Sequence, residues 1–364
     1  MLFIKNARNK RVYAGLSSFI ITMKYNRLMA GVFSFLLVEL VFFGLSANVA
    51  LADSVRQQTV SVHKGWNAIY LHVTPTNTQP GSVFSGTPVS IVAANFGLTT
   101  SVQYVQNPGS ISWKKDGWSV WYGPGRSDAF LSNLFALQGN KAYLVFAEQD
   151  FNLTITGTVT LQTILWQPNS FNLQGFGVDG ASPPTFDKFF SGSSAHRPCK
   201  IYRLVNDQWT LVANPVTTAM KSGEAFWIYC NGGSDYQGPL AVGLTAGQTL
   251  TFGDTAETPV VFVNKTSNPQ AITVDTVNPT GSTLPLAYVL RGITTGNIGD
   301  ATFDFPTHYA PPTLEAGQTS SLWFKLRREK MTQPEQSALL KISSDTGAEV
   351  WVPITGKRAA ITNP

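Results

Sequence analysis

The chain has 364 residues, of which 13% are charged and 12% aromatic, with 31 glycines, 21 prolines and two cysteines. Its formal net charge of +5 sits at the N-terminus: Lys5, Arg8, Lys10, Arg11, Lys24 and Arg27 are six of the 26 basic residues and Glu39 is one of the 21 acidic ones, so the part from Asp53 onward carries equal numbers of each. A neutral chain lacks the counterion-release term that drives general phosphate binding, which excludes a nucleic-acid role carried by net charge. Low charge with abundant aromatic, Thr, Gly and Pro residues favours strands and tight turns over helices.

Residues 24–52 have the build of a secretory leader: Lys24 and Arg27, an apolar run over 28–45, then Ala50-Leu51-Ala52 before Asp53. Cleavage is predicted after Ala52. The apolar run is about as long as a short membrane span, so an uncleaved leader is the alternative and the sole membrane contact foreseen. Met23 would open a leader of ordinary length and is an alternative start to Met1. The processed product is expected in the periplasm, at the cell surface or secreted.

Beyond the leader, one pattern occurs twice. Trp66-Asn67, an alternating apolar run, a Pro/Asn/Thr loop and Phe84-Ser85-Gly86 match Phe171-Asn172, a similar run, a Ser-Pro-Pro loop and Phe190-Ser191-Gly192. A tyrosine strand follows in each (102–105 against 200–203), then a tryptophan strand opening at Trp118 or Trp209. Each closes on a glycine and an aromatic strand, Gly139 to Val145 against Gly223 to Tyr229. Such repetition fixes domain number better than composition does. Strand side chains alternate between faces, so the rings of each copy are expected to converge on a shared core. Two helices are predicted: one after Thr185 over 186–190, and one starting at Ser127-Asp128 over 129–137.

From about residue 241 the pattern changes to strands at regular spacing, predicted at 249–252, 260–263, 272–275, 288–290, 321–326, 338–342 and 350–354 with Asn/Gly/Pro/Thr turns between them. About seven strands in this length predict an immunoglobulin-like sandwich. The fold class is therefore all-β: two related small β-rich modules, 53–157 and 158–240, and a sandwich at 241–364.

Cys199 and Cys230 are the two cysteines, and aligning the copies places Ser101 and Ala147 at their positions in the first, so both thiols are missing together there. That joint absence predicts a Cys199–Cys230 disulfide in an exported protein; two buried thiols are the alternative. The four histidines, His63, His72, His196 and His308, show no metal-ligand spacing, and His72 is expected to face outward from its strand. No metal or cofactor is foreseen. The basic cluster Lys325, Arg327, Arg328 and Lys330 reads as the outer face and end of a strand.

Asp116, Asp128, Glu148, Asp150, Asp207, Glu224 and Asp235 are acids that could pair in space for glycoside chemistry, yet none stands in a recognisable catalytic motif. Exposed aromatics on Gly/Pro loops are the better candidates, because flat rings stack on sugar faces or anchor a protein partner. These are Trp121 and Tyr122 in Trp118-Ser119-Val120-Trp121-Tyr122-Gly123-Pro124, and Tyr236 in the 231–236 loop; Trp118 itself is expected in the core.

The run from Gly65-Trp66-Asn67 through Trp118 to Gly139 and Tyr143, with its copy from Asn172 through Trp209 to Gly223 and Trp227, resembles the GWN and aromatic-strand modules of secreted bacterial proteins of unknown activity. Leu250-Thr251-Phe252-Gly253 with Val260-Val261-Phe262-Val263-Asn264-Lys265-Thr266 is similar to bacterial immunoglobulin-like and ASH-type domains. That likeness implies a binding or structural role and brings no catalytic residue. The expectation is a non-enzymatic binding or structural protein of the cell envelope or extracellular matrix, with a glycan or an envelope or extracellular protein as partner. The alternative is a polysaccharide-acting enzyme or its carbohydrate-binding accessory subunit. Asn152-Leu153-Thr154 and Asn264-Lys265-Thr266 are glycosylation acceptors in a host that modifies such sites.

Overall fold

The computed structural model describes residues 54–96, 117–278, 283–294 and 297–358. The leader, the tyrosine strand expected at 102–105, Ser101 and Asp116 lie outside the described residues. Within them the chain is all-β, and no helix is long and apolar enough to cross a membrane.

In chain order the first half holds β1 (Val55–Val62), β2 (Gly65–Leu71), β3 (Val73–Pro75), the one-turn helix α1 (Pro80–Val83), β4 (Val89–Asn95), β5 (Trp118–Tyr122), β6 (Lys141–Ala147) and β7 (Phe151–Val159). There follow β8 (Ser170–Gly175), the one-turn helix α2 (Phe186–Phe189), β9 (Ile201–Val205), β10 (Gln208–Leu211) and β11 (Ala225–Cys230). Strands β1, β7 and β3 form an outer sheet. The remaining strands make two four-stranded sheets of the same order, β2-β6-β4-β5 and β8-β11-β9-β10.

The correspondence extends to single residues. Asn67 accepts the His63 N–H and donates to the His63 and Gly65 carbonyls; Asn172 accepts the Gln167 N–H and donates to the Gln167 and Ser170 carbonyls. In both copies one asparagine thus staples the turn that opens the first strand. Phe84 and Phe190 both sit at the C-cap of a one-turn helix and are buried. In sheet order the topological equivalent of β9 is β4 (Val89–Asn95).

Alternation at period two explains the layers. Ala68, Tyr70, Ile91, Ala93, Trp118, Val120, Ala142 and Leu144 face one way and meet Phe171, Ala225 and Trp227 of the other copy in a single aromatic core. The opposite face of the first sheet packs Ile69, Leu71, Val92, Tyr143 and Val145 against Val60, Val62, Leu153 and Ile155 of the outer sheet. The opposite face of the second sheet sets Ile201, Phe226, Ile228 and Cys230 against Phe186, Phe189 and Phe190 of α2 and the loops around it. The contact between copies is close: a Cβ on Gly175 would lie 2.2 Å from Tyr70 Cγ, and Tyr70 is fully buried. Gly175→Ala is expected to destabilise the protein by about 2–3 kcal/mol through overpacking, read as a lower urea midpoint at unchanged slope.

The helix predicted at 186–190 forms, with Thr185 Oγ1 accepting the Lys188 N–H at 3.3 Å. The one predicted at 129–137 does not. Only Ala129–Leu131 makes a 3-10 turn, because the following residues cover the edge of β5: Asn133 Oδ1 accepts the Val120 N–H, Ser132 Oγ accepts the Tyr122 N–H, and the N–H groups of Asn133 and Leu134 bond to Val120 O. Sealing an open sheet edge outweighs local helix propensity.

The second half holds β12 (Leu240–Leu244), β13 (Leu250–Thr251), β14 (Glu257–Asn264), β15 (Ile272–Val277), β16 (Leu286–Leu290), β17 (Ile293–Thr294), β18 (Asn297–Ile298), β19 (Ala301–Asp304), β20 (His308–Tyr309), β21 (Thr319–Leu326), β22 (Glu335–Ser344) and β23 (Glu349–Lys357). All seven predicted strands are present. Apart from the small β17–β18 ribbon they make two five-stranded sheets, β12-β14-β21-β16-β19 and β13-β23-β22-β15-β20, around a core that includes Phe252, Val260, Phe262, Phe324, Leu340 and Ile342. Leu339, pointing the other way from β22, joins the core beneath the outer sheet.

Candidate functional site

The structure relocates the aromatic candidates. Tyr236, expected on an exposed loop, is buried: Gly232, at φ +73°, helps turn the loop back, the ring packs against Phe189 and Phe190, and its hydroxyl donates to Phe189 O. Trp121 is half-buried and stacks on Phe84 with ring centres 5.9 Å apart, so it completes the core beneath the outer sheet and is no open platform. Tyr122 packs at the rim of the aromatic core, with the Arg126 guanidinium 5.7 Å over its ring. Trp118 is buried, as expected. The exposed rings of this region are Phe130 and Phe135, at 82% and 75% exposure, hidden from sequence reading by the helix assigned there.

The histidine expected to face outward, His72, is buried. It follows β2 directly and its backbone N–H bonds to the buried side chain of Gln58, which turns it in beside Arg56 and the ring of Tyr70. The basic cluster is consumed locally. Lys325 pairs with Glu257, Arg327 and Lys330 pair with Asp304, and Arg328 donates to the carbonyls of Phe252, Gly253, Thr255 and Lys357. Cys199 and Cys230 are both thiols in the structure.

What the fold does build is a cleft of about 530 Å³ where the two copies meet, walled by the start of β2 and by the β9–β10 hairpin. The hairpin turn is Asn206-Asp207, both with positive φ, the geometry of a two-residue turn that asparagine and aspartate tolerate. It carries the Asp207 carboxylate to the Trp66 N–H. Gly65 is required for this approach: its φ is +95°, and a Cβ there would sit 2.5 Å from Asp207 Oδ1. The Gly65-Trp66-Asn67 motif is thereby accounted for residue by residue, with glycine admitting the carboxylate, the tryptophan backbone N–H donating to it and asparagine holding the turn.

Deeper in the wall Arg203 and Glu224 form a two-pronged ion pair at 3.0 and 2.6 Å, both side chains 18% exposed. Beside it Tyr70 N–H bonds to Gly223 O at 2.8 Å, joining the edge of β2 to the second copy. The partly exposed Trp66 ring, set edge-on against Phe146, lines the cleft with exposed His63, Lys64, Lys221 and Ser222. Sequence reading named Asp207 and Glu224 only among scattered acids and missed Arg203, Trp66 and the two lysines. The available signal was Asn206-Asp207 between two apolar runs, which marks a hairpin tip.

The other named acids among the described residues have partners as well: Asp128 with Arg126, Glu148 with Ser90 Oγ, Asp150 with the Lys64 N–H and Asp235 with Lys265. Among the described residues no three His, Cys, Asp or Glu side chains gather as a metal site would require.

No protein-family model and no curated protein sequence matches the chain. Among solved structures it is similar to an ASH/PapD-like domain of human CEP192, at 10% identity over 33% of this chain and 84% of that one, with a TM-score of 0.21. It is also similar to the Salmonella enterica SafA pilin in complex with the SafB chaperone, at 14% identity, covering 34% of this chain and 56% of that one, with a TM-score of 0.23. An Escherichia coli alpha-2-macroglobulin aligns at 12% identity over 84% of this chain and 33% of its own, with a TM-score of 0.22. Likenesses this weak carry no argument about role.

Proposed function

We propose that the protein is a non-enzymatic, exported binding or structural component of the cell envelope or extracellular matrix, and that the cleft between its two copies makes the contact with a glycan or an envelope protein. The observation that carries this reading is how the acids of the cleft are used. Glu224 is locked to Arg203 and Asp207 to a backbone N–H, whereas glycoside hydrolysis needs two carboxyl groups facing the scissile bond. Trp66, partly exposed at the cleft, lies with Lys64, Lys221 and Ser222 around it, and an aromatic side chain among hydrogen-bond donors is the composition of a recognition surface.

Glycan-array binding by the purified protein is the test, with Trp66→Ala and Lys221→Glu expected to weaken it about tenfold or more. Trp121→Ala, on the far side of the first sheet, is expected to leave binding unchanged. Melting curves of Trp66→Ala and Lys221→Glu equal to the wild type would keep loss of binding distinct from loss of fold, while Trp121→Ala, which removes a ring packed on Phe84, is expected to melt lower and still bind. Polysaccharide turnover abolished by Glu224→Gln or Asp207→Asn would overturn the proposal in favour of an enzyme. Retention of an envelope protein by the wild type and not by Lys221→Glu would assign the cleft to a protein partner.

A further inference from the structure

We propose that Cys199 and Cys230 are a cross-strand disulfide site, positioned by the pairing of β9 with β11. Those strands run antiparallel with Tyr202 opposite Trp227 and Ile201 opposite Ile228. The pairing continues past the end of β9, where the Tyr229 N–H donates to Lys200 O at 3.0 Å. One step further the same register sets Cys199 opposite Cys230.

Because Tyr229 and Lys200 share a ladder bond, the next pair is of the class that exchanges none, in which facing Cα atoms approach to about 4.5 Å. That lies within the roughly 4.4–6.8 Å that a disulfide spans. Both side chains also lie on one face of the sheet, since Cys230 belongs to the aromatic cluster around α2 and Cys199 packs against it. In the first copy the corresponding pair is Val89 opposite Ala147, both buried and apolar. The second copy has thiols where the first has hydrocarbon.

The two thiols differ in access, Cys199 being half-buried and Cys230 fully buried. A disulfide-bearing donor, such as glutathione disulfide or a dithiol oxidoreductase, therefore meets Cys199 first. The Cys199 thiolate attacks one donor sulfur, forming a mixed disulfide and expelling one donor thiolate. Cys230 then gives up its proton, leaves its contact with Gly232 O and attacks the Cys199 sulfur, expelling the second. The protein loses two protons and two electrons, and the donor disulfide becomes two thiols. The bridge ties the 193–199 connector, whose buried His196 sits 4.2 Å from the Trp166 ring centre, directly to β11.

The test is glutathione disulfide treatment of the full-length protein purified under reductant, followed by intact mass and non-reducing digestion. A mass lower by two hydrogens, a linked peptide pair containing Cys199 and Cys230, and a melting temperature roughly 5 °C or more above that of the reduced protein are expected. In Cys230→Ala the same treatment is expected to stop at a glutathione adduct on Cys199. A wild-type protein in which the adduct on Cys199 persists while Cys230 is still alkylated after unfolding would overturn the proposal, as would covalent dimers in place of the internal bridge. Oxidation of purified protein probes the strand geometry independently of where the chain is exported and of what the cleft binds.

Discussion

Asn264→Ala is expected to lower the stability of the C-terminal sandwich by about 3–5 kcal/mol, the largest effect of any single polar substitution proposed for this protein. Asn264 ends β14 fully buried. Its Nδ2 donates to the carbonyls of Asn268, Leu314 and Glu315 at 2.8, 3.0 and 3.1 Å, and its Oδ1 accepts from Thr266 N and Oγ1 at 2.9 and 2.8 Å. One side chain thus pins the 264–268 turn to the 314–315 loop, and alanine strands several of these partners away from water, where each unsatisfied group costs about 1–3 kcal/mol. Urea titration followed by tryptophan fluorescence measures the loss; a change below 1 kcal/mol would contradict this account. The same geometry removes Asn264 as a glycan acceptor in the folded protein, since its amide faces three carbonyls, and leaves exposed Asn152 as the acceptor in a glycosylating host.

Acidification is expected to destabilise the protein progressively below pH 6.5. Burial first, and the neighbouring Arg56 charge second, push the His72 pKa down to about 3, so the folded state holds the imidazole neutral while the unfolded chain protonates it near 6.5. Between those values the unfolded state binds the extra proton. Stability is therefore full above pH 6.5, falls as the pH drops, and stops falling from this source near pH 3, where the folded form protonates too. The linkage amounts to about 2.5–3 kcal/mol at pH 4.5. His196, pushed down to about 4 by burial, adds in the same direction. The surroundings offer His72 no relief, since Glu349, which lines the same small cavity, is paired with Lys341 at 2.6 Å. Urea midpoints of wild type and His72→Gln at pH 7 and 4.5 provide the check: the variant is expected to lose about half of the histidine-linked pH dependence, the rest belonging to His196, and parallel curves would refute the assignment.

The strands of this fold were legible because alternation writes them directly into the order of residues, as in the Glu257–Asn264 strand, whose buried and half-buried positions alternate throughout. The doubled motif was legible for the same reason, since Asn67 and Asn172 do the same backbone work. What escaped reading depends on contacts distant in the chain. Tyr236 resembles a loop aromatic until α2 is folded over it, and His72 looks like a solvent-facing residue until Gln58 and Arg56 arrive from β1. Strand order escaped as well: nothing local says that β4 takes the place in the first sheet that β9 takes in the second. The cleft was illegible because its walls, Trp66 and the Arg203–Glu224 pair, come from different copies and acquire meaning only when those copies meet.

The aromatic core held jointly by the two copies also bears on their history and handling. Each copy serves as the lid over the other's apolar face, so a chain cut between β7 and β8 would bare Tyr70, Ile91 and Trp118 to water and would be prone to clump. Once such a pair has closed, neither half is free to drift by itself: a bulkier ring on one wall demands a smaller residue opposite, as Gly175 under Tyr70 illustrates. The two halves are therefore bound to evolve as interlocking partners rather than as interchangeable beads.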